Sequence, residues 1–191
     1  MKWLDSDEWE MRVIHQEKNS VIQEPTGQLD CSSAIPELVY ERLLTCSRAD
    51  AWAALTEPDR TARWIGSWTG EAGPGKSVEV TWLAEEGTPK EHVRILKCEP
   101  PHRLALATGP DKDAPWLVTI ELIESDEGVR LEFRQQMSNG LSPALVGTGW
   151  EFYLDRYVAS LEDGLAEPFE AYHVLQPHYE ELQAAMALCD G

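Results

Sequence analysis

Positive charge is scarce in this chain: 16 Lys and Arg stand against 34 Asp and Glu, for a formal net charge of −18. A surface of that sign repels phosphate backbones and anionic headgroups, so nucleic acid is not expected as a partner. No Lys or Arg follows Arg156, whereas Glu162, Asp163, Glu167, Glu170, Glu180, Glu181 and Asp190 do. That acidic region reads as a solvated surface in preference to a dock for a basic protein. Long apolar runs are also missing. None approaches the roughly 18 residues that span a bilayer, and the first ten residues are acidic where a secretion signal would be basic and then apolar. A cytoplasmic protein without membrane insertion is the expectation. Cysteine is sparse: Cys31, Cys46, Cys98 and Cys189 lie far apart with no CxxC pair. Neither a zinc site nor a redox motif is indicated, and four reduced thiols are expected.

Catalytic signatures are absent as well. There is no HExxH, GxSxG, P-loop or GxGxxG, and the five histidines (His15, His92, His102, His173, His178) show no metal-ligand spacing. No metal and no cofactor are expected. His178 and Glu181 lie one turn apart on a helical stretch, which reads as a solvated face more readily than as a ligand pair. Glu85-Glu86 falls in a turn, not in an apolar setting that would raise a carboxyl pKa.

What is present is enough to build a core: 191 residues, 42% of them hydrophobic. The rest of the chain is organised around residues 142–164. Ser142 suits an N-cap, Pro143 the first helical position, and Gly164 a left-handed helix end. Val146, Trp150, Tyr153, Leu154, Tyr157, Val158 and Leu161 share one arc at helical spacing, with Glu151, Asp155, Arg156, Glu162 and Asp163 opposite. One buried face is predicted. Gly147 and Gly149 beside it imply either close packing against a strand or room for a ligand next to Trp150.

Before this helix the period is two. Strands are predicted over 37–46, 67–71, 76–83, 91–98, 103–108, 116–123 and 129–137, with two short helices over 47–66 after the first. Val129, Leu131, Phe133, Gln135 and Met137 alternate with Arg130, Glu132, Arg134 and Gln136, so one sheet face is buried and one is wet. Six consecutive strands with short turns imply an antiparallel meander that the long helix must cover. The Trp9, Met11, Val13 alternation reads as a further short strand, the stretch SVIQEPTGQ as a strand entering a Pro-Thr-Gly turn, and residues from Pro177 as a last helix. The resulting organisation is an N-terminal extension over 1–33, a main domain over 34–164 and a C-terminal extension over 165–191.

Ala51, Trp52, Ala54-Leu55-Thr56, Pro58, Trp64, the Pro100-Pro101 turn, the strand from Gly128 to Phe133 and Gly149-Trp150 together resemble the SRPBCC, or START-like, superfamily. The similar branch is the one named for homology to the C-terminal domain of the activator of the ninety-kilodalton heat-shock protein's ATPase. The match spans 37–164. The resemblance implies an α+β helix-grip fold, a curved antiparallel sheet wrapped around a long C-terminal helix with a cavity between them. It departs from the family pattern at Gln135, where histidine is common.

Eight tryptophans are the main compositional signal. On such a fold Trp64, Trp68, Trp82, Trp116 and Trp150 fall at the cavity or its mouth, with Phe133, Tyr153 and Tyr157 beside them. Aromatic walls with few polar groups suit an apolar or aromatic ligand, with Gln135, His92 and the phenols as orienting groups. His92 reads more readily as an exposed strand residue than as an orienting group. Binding of a small hydrophobic molecule is the leading expectation. A chaperone-directed protein-interaction module without ligand is the alternative, and a cofactor-free cyclase or hydrolase comes third.

Overall fold

A computed structural model describes residues 24–109, 111 and 113–189. In chain order its elements are β1 (Gln28–Asp30), β2 (Glu37–Leu44), α1 (Arg48–Thr56), α2 (Pro58–Thr61), β3 (Gly66–Thr69), β4 (Ser77–Trp82), β5 (Lys90–Glu99), β6 (Arg103–Thr108), β7 (Trp116–Ser125), β8 (Gly128–Gln136), α3 (Pro143–Leu161), a 3₁₀ helix (Phe169–Leu175) and α4 (Gln176–Met186). The strands form one antiparallel sheet in the order β1-β2-β8-β7-β6-β5-β4-β3. This is the α+β helix-grip fold. The Trp9 to Val13 alternation lies outside the described residues. Of the strand anticipated across SVIQEPTGQ, residues 20–23 also lie outside the described residues, and the first described strand starts at Gln28, after the turn.

Alternation sets the register. In β8 Val129, Leu131, Phe133 and Gln135 are buried, and Phe133 stands opposite Tyr40 of β2 and Ile120 of β7. On the outer face Arg134 ties three strands at once, reaching Asp30 at 2.8 Å, Glu37 at 3.1 Å and Glu132 at 2.6 Å. Cross-strand pairs of opposite charge on the wet side and apolar pairs on the dry side hold the same register, since a one-residue slip would invert both. Ser47 caps α1 by accepting the Asp50 N–H at 3.1 Å. Thr61, Trp64 and Ile65 then carry the chain from α2 into β3.

The ends of α3 differ from the expected chemistry. The Ser142 side chain makes no capping bond; its backbone carbonyl instead accepts from Leu145 at 3.0 Å and Val146 at 3.3 Å. At the other end Asp163 takes the left-handed conformation (φ 52°), and Gly164 serves by giving its N–H to the Ala159 carbonyl at 2.8 Å.

A larger correction concerns the side of α3 away from the sheet. It is covered by the C-terminal segment, so the helix is buried on two sides and Glu151, placed by periodicity toward solvent, is only 2% exposed. Its carboxylate accepts from the Thr26 and Gly27 backbone, the Thr26 hydroxyl, Tyr179 and Arg42. Asp155 joins the same network through Arg42 (2.9 Å) and Tyr172 (3.0 Å). Gly147 is explained here too: a Cβ on it would lie 2.0 Å from the Tyr179 ring, so the close neighbour is the last helix and not a strand, while Gly149 faces open space.

The four reduced thiols must also be corrected. α4 returns along α3 to β1 and brings Cys189 to 5.7 Å (Cα–Cα) from Cys31, a separation that a disulfide spans, and the two are bonded. Their 158-residue separation in sequence hid the contact. Cys46 and Cys98 are free thiols. No described helix is long and apolar enough to cross a membrane.

Candidate functional site

Of the strands, α3 runs nearest β2, and there the core is filled by Leu38, Tyr40, Leu131, Tyr157 and their neighbours. Toward β4, β5 and β6 the sheet carries a separate apolar cluster of Val78, Val93, Ile95 and Leu104 that the helix does not fill against. Between the two clusters lies a cavity of about 250 Å³.

Each wall has a local reason. The turn from α2 places Trp64, whose indole N–H is fixed by the Ala54 carbonyl at 2.9 Å and whose ring meets Tyr157 edge-on at 5.2 Å. Alternation puts Val78, Val80 and Trp82 of β4 inward, with Val93 of β5 opposite Val78 and Ile95 further along the same face of β5. α3 contributes Trp150, whose ring lies 4.3 Å from that of Phe133 at a tilt of 47°, with its indole N–H given to the Gln135 amide oxygen at 2.5 Å. Apolar parity on a strand therefore supplies the floor, and one helical tryptophan supplies the roof.

Of the sequence-predicted residues, the structure brings Trp64, Trp68, Trp82, Phe133 and Trp150 to the cavity wall. Gln135 is buried behind Trp150 and holds it. Tyr153 packs beside Trp82 and Trp150 (ring centroids 6.4 and 6.1 Å apart), and its hydroxyl donates to Glu85 in the β4–β5 loop. Burial, and then the neighbouring Glu85 carboxylate, push the Tyr153 phenol well above its ordinary pKa. Trp116 packs on the main core outside the wall, under Gly109. Tyr157 is fully buried and donates to the Ala51 carbonyl at 2.9 Å; burial also raises its phenol. His92 falls on the opposite, exposed face, because Val93 and Ile95 set the parity of β5 inward.

Three parts of the site were not anticipated. The aliphatic wall of β4 to β6 was legible only as alternation. Thr56, Thr61 and Thr108 line the cavity, but each hydroxyl is already spent, on the Trp52 carbonyl, the Pro58 carbonyl and Glu91 respectively. Glu91 itself sits between two wall residues, accepting the Trp82 indole N–H at 3.1 Å together with the Thr108 hydroxyl and the Gly109 N–H. The signal for it was a carboxylate at the parity of Val93 and Ile95. Among the described residues no Lys, Arg, His, Asp or Glu lines the cavity. Among the described residues no group of His, Cys, Asp and Glu side chains is placed to hold a metal ion.

The family model described as activator of Hsp90 ATPase homolog 1-like protein matches residues 45–162, more than half of the chain. The chain belongs to that family. Its matched span opens just before α1 and closes at the end of α3, so it contains the whole cavity wall, from Leu55 to Trp150, and leaves out β1, β2 and the C-terminal segment. Among solved structures, CalU16 from Micromonospora echinospora is similar at TM-score 0.64 and 21% identity, over 83% of this chain and 96% of that one. The protein encoded by BPP1335 of Bordetella parapertussis is similar at TM-score 0.64 and 27% identity, over 82% and 91%. DynU16, from the dynemicin biosynthetic locus, is similar at TM-score 0.57 and 22% identity, over 70% of this chain and 49% of that one. Comparison with curated proteins finds no match.

Proposed function

We propose that this AHSA1-family protein binds a small apolar or aromatic molecule in the cavity between the sheet and α3. The observation that carries the reading is an internal space of about 250 Å³ whose lining is aliphatic and aromatic and whose few hydroxyls are already engaged. An apolar void of about 150 Å³ takes up benzene, so a space of this size suits a one- or two-ring molecule. Water inside would find few free partners, which favours an apolar occupant over solvent. Among the described residues of the lining nothing pairs a nucleophile with a base, which supports binding over catalysis.

The test is a titration with naphthalene, followed by calorimetry, tryptophan fluorescence and melting temperature together. A ligand that binds only the folded state stabilises it by about 2.7 kcal/mol at 100 times its Kd, an upshift of roughly 5–10 °C for a domain of this size. Saturable quenching with that upshift, lost in Leu106→Trp, which places bulk in the void, is the expected result. A flat response in a stably folded protein turns the reading to a role exercised by surface contact with another protein.

A further inference from the structure

We infer that the cavity selects a flat, electron-poor aromatic ring over a saturated ring of the same size, and that the tryptophans of its wall make this choice. The inference rests on the cavity being a ligand site and adds the electronic class of its occupant.

Trp64, Trp68, Trp82 and Trp150 all line the cavity, and they come from four separate places: the turn after α2, then β3, β4 and α3. In the β3–β4 ladder Trp68 stands opposite Val80 and Gly66 opposite Trp82, so the two indoles are diagonal neighbours on one face. Trp64 joins them two residues before Gly66, and Trp150 closes the space from the helix. Among the described residues no two of these four rings pack on one another. Trp64 meets Tyr157, Trp82 meets Tyr153, Trp150 meets Phe133 and Tyr153, and Trp68 meets no ring. Four indoles thus border one space without closing it among themselves.

The N–H edge is the positive side of an indole, and three of these edges are already given to protein acceptors. Trp64 donates to the Ala54 carbonyl at 2.9 Å, Trp82 to Glu91 at 3.1 Å and Trp150 to Gln135 at 2.5 Å. With those edges spent, ring carbon is what the three have left to offer a ligand, and its faces carry the negative part of the ring quadrupole. A saturated molecule gains only burial against such a wall. A ring whose quadrupole is reversed by electron-withdrawing substituents gains more, because its positive face then meets a negative one. A ring bearing a full positive charge is drawn to the same faces. It would give up its water without a counter-ion, however, since among the described residues no carboxylate lines the cavity. The matching class is a neutral, planar, electron-poor arene.

Cyclohexane, benzene and hexafluorobenzene are uncharged six-membered rings without a hydrogen-bond donor, and they differ in the π system. Their affinities for the full chain are measured by headspace partition, with naphthalene binding as the reference for the cavity itself. Cyclohexane is the most water-averse of the three, so a cavity acting by burial alone would rank it first. The expected result is hexafluorobenzene about 3- to 10-fold tighter than either benzene or cyclohexane. Trp68 has no hydrogen bond or ring partner to lose, which makes it the position to vary. In Trp68→Leu the margin of hexafluorobenzene over cyclohexane shrinks toward parity, and in Trp68→Phe, which keeps a ring, most of it returns. If Trp68→Leu does not fold, the wild-type ranking and Trp68→Phe still decide. Naphthalene bound with hexafluorobenzene no tighter than cyclohexane, or a margin unchanged in Trp68→Leu, overturns this inference and leaves the cavity reading standing. No binding of naphthalene overturns both.

Discussion

At the scale of single residues, Trp150 and Gln135 form a pair whose energetics can be separated. Gln135 is 1% exposed and its amide oxygen takes the Trp150 N–H at 2.5 Å. Trp150→Phe keeps an aromatic ring against Phe133 but leaves that oxygen without its donor in a dry site. The cost of orphaning a buried polar group is about 1–3 kcal/mol, and urea denaturation should show a lowered midpoint of that order. An unchanged midpoint would mean that Gln135 finds another donor. Gly147 sets two effects against each other. Alanine raises helix propensity by about 1 kcal/mol, but its Cβ would lie 2.0 Å from the Tyr179 ring. Overpacking of that kind costs about 1–3 kcal/mol where the neighbour cannot move freely, and Tyr179 is 0% exposed. Gly147→Ala should therefore destabilise the protein and speed proteolysis of the segment after residue 164. A stabilised Gly147→Ala would show that the last helix yields without cost.

At the scale of elements, α3 works as a two-sided partition, with the apolar cavity on its sheet side and a polar network under the C-terminal segment on the other. Burial alone would raise the Glu151 carboxyl, yet Tyr179, the Thr26 N–H and the Arg42 charge outweigh it and hold its pKa below the ordinary 4.5. A carboxyl depressed in the fold adds stability that is complete above about pH 4.5 and is lost as pH falls through its folded value. Glu151→Gln should thus be less stable than the parent at pH 7, with the gap between them narrowing from pH 5 downward in parallel unfolding curves. A gap that stays constant to pH 3 would sink the argument. Much of the fold was legible at this scale, because β8 alternates cleanly at Val129, Leu131 and Phe133 and Pro143 marks the start of α3. The second buried face of α3 was not. Its signals are a single carboxylate, a glycine and a distant tyrosine, and helical periodicity assigns a lone Glu151 to solvent unless a second covering element is known. The site was legible as tryptophans at cavity positions, whereas Glu91 and the three aliphatic strands required knowing which way β5 faces.

For the whole molecule, the decisive link is the one between residues near its two described ends, Cys31 and Cys189. β1 is the edge strand of the sheet, α4 packs on α3 and β1, and Cys31–Cys189 closes a loop across nearly the whole described chain. A crosslink of that span acts mainly by restricting the unfolded chain. For a loop of about 100 residues the chain-entropy model gives about 4.7 kcal/mol, and strain or residual structure reduces what is observed to about 2–4. Reduction should lower the melting temperature by roughly 5–15 °C at 2–4 °C per kcal/mol. Cys31→Ser, Cys189→Ser and the double variant should all melt together and ignore reductant, because either substitution removes the same bond. An equal melting temperature with and without reductant would show that the thiols are unpaired in solution. The partition made by α3 adds a second readout. The disulfide lies on the side of the helix away from the cavity, and Trp150 is positioned from the sheet by Gln135 and Phe133. Naphthalene affinity should accordingly survive reduction at temperatures where the protein remains folded. A large loss of affinity on reduction would mean that the C-terminal segment holds α3 in place over the cavity, and that the two sides of the helix are one coupled unit.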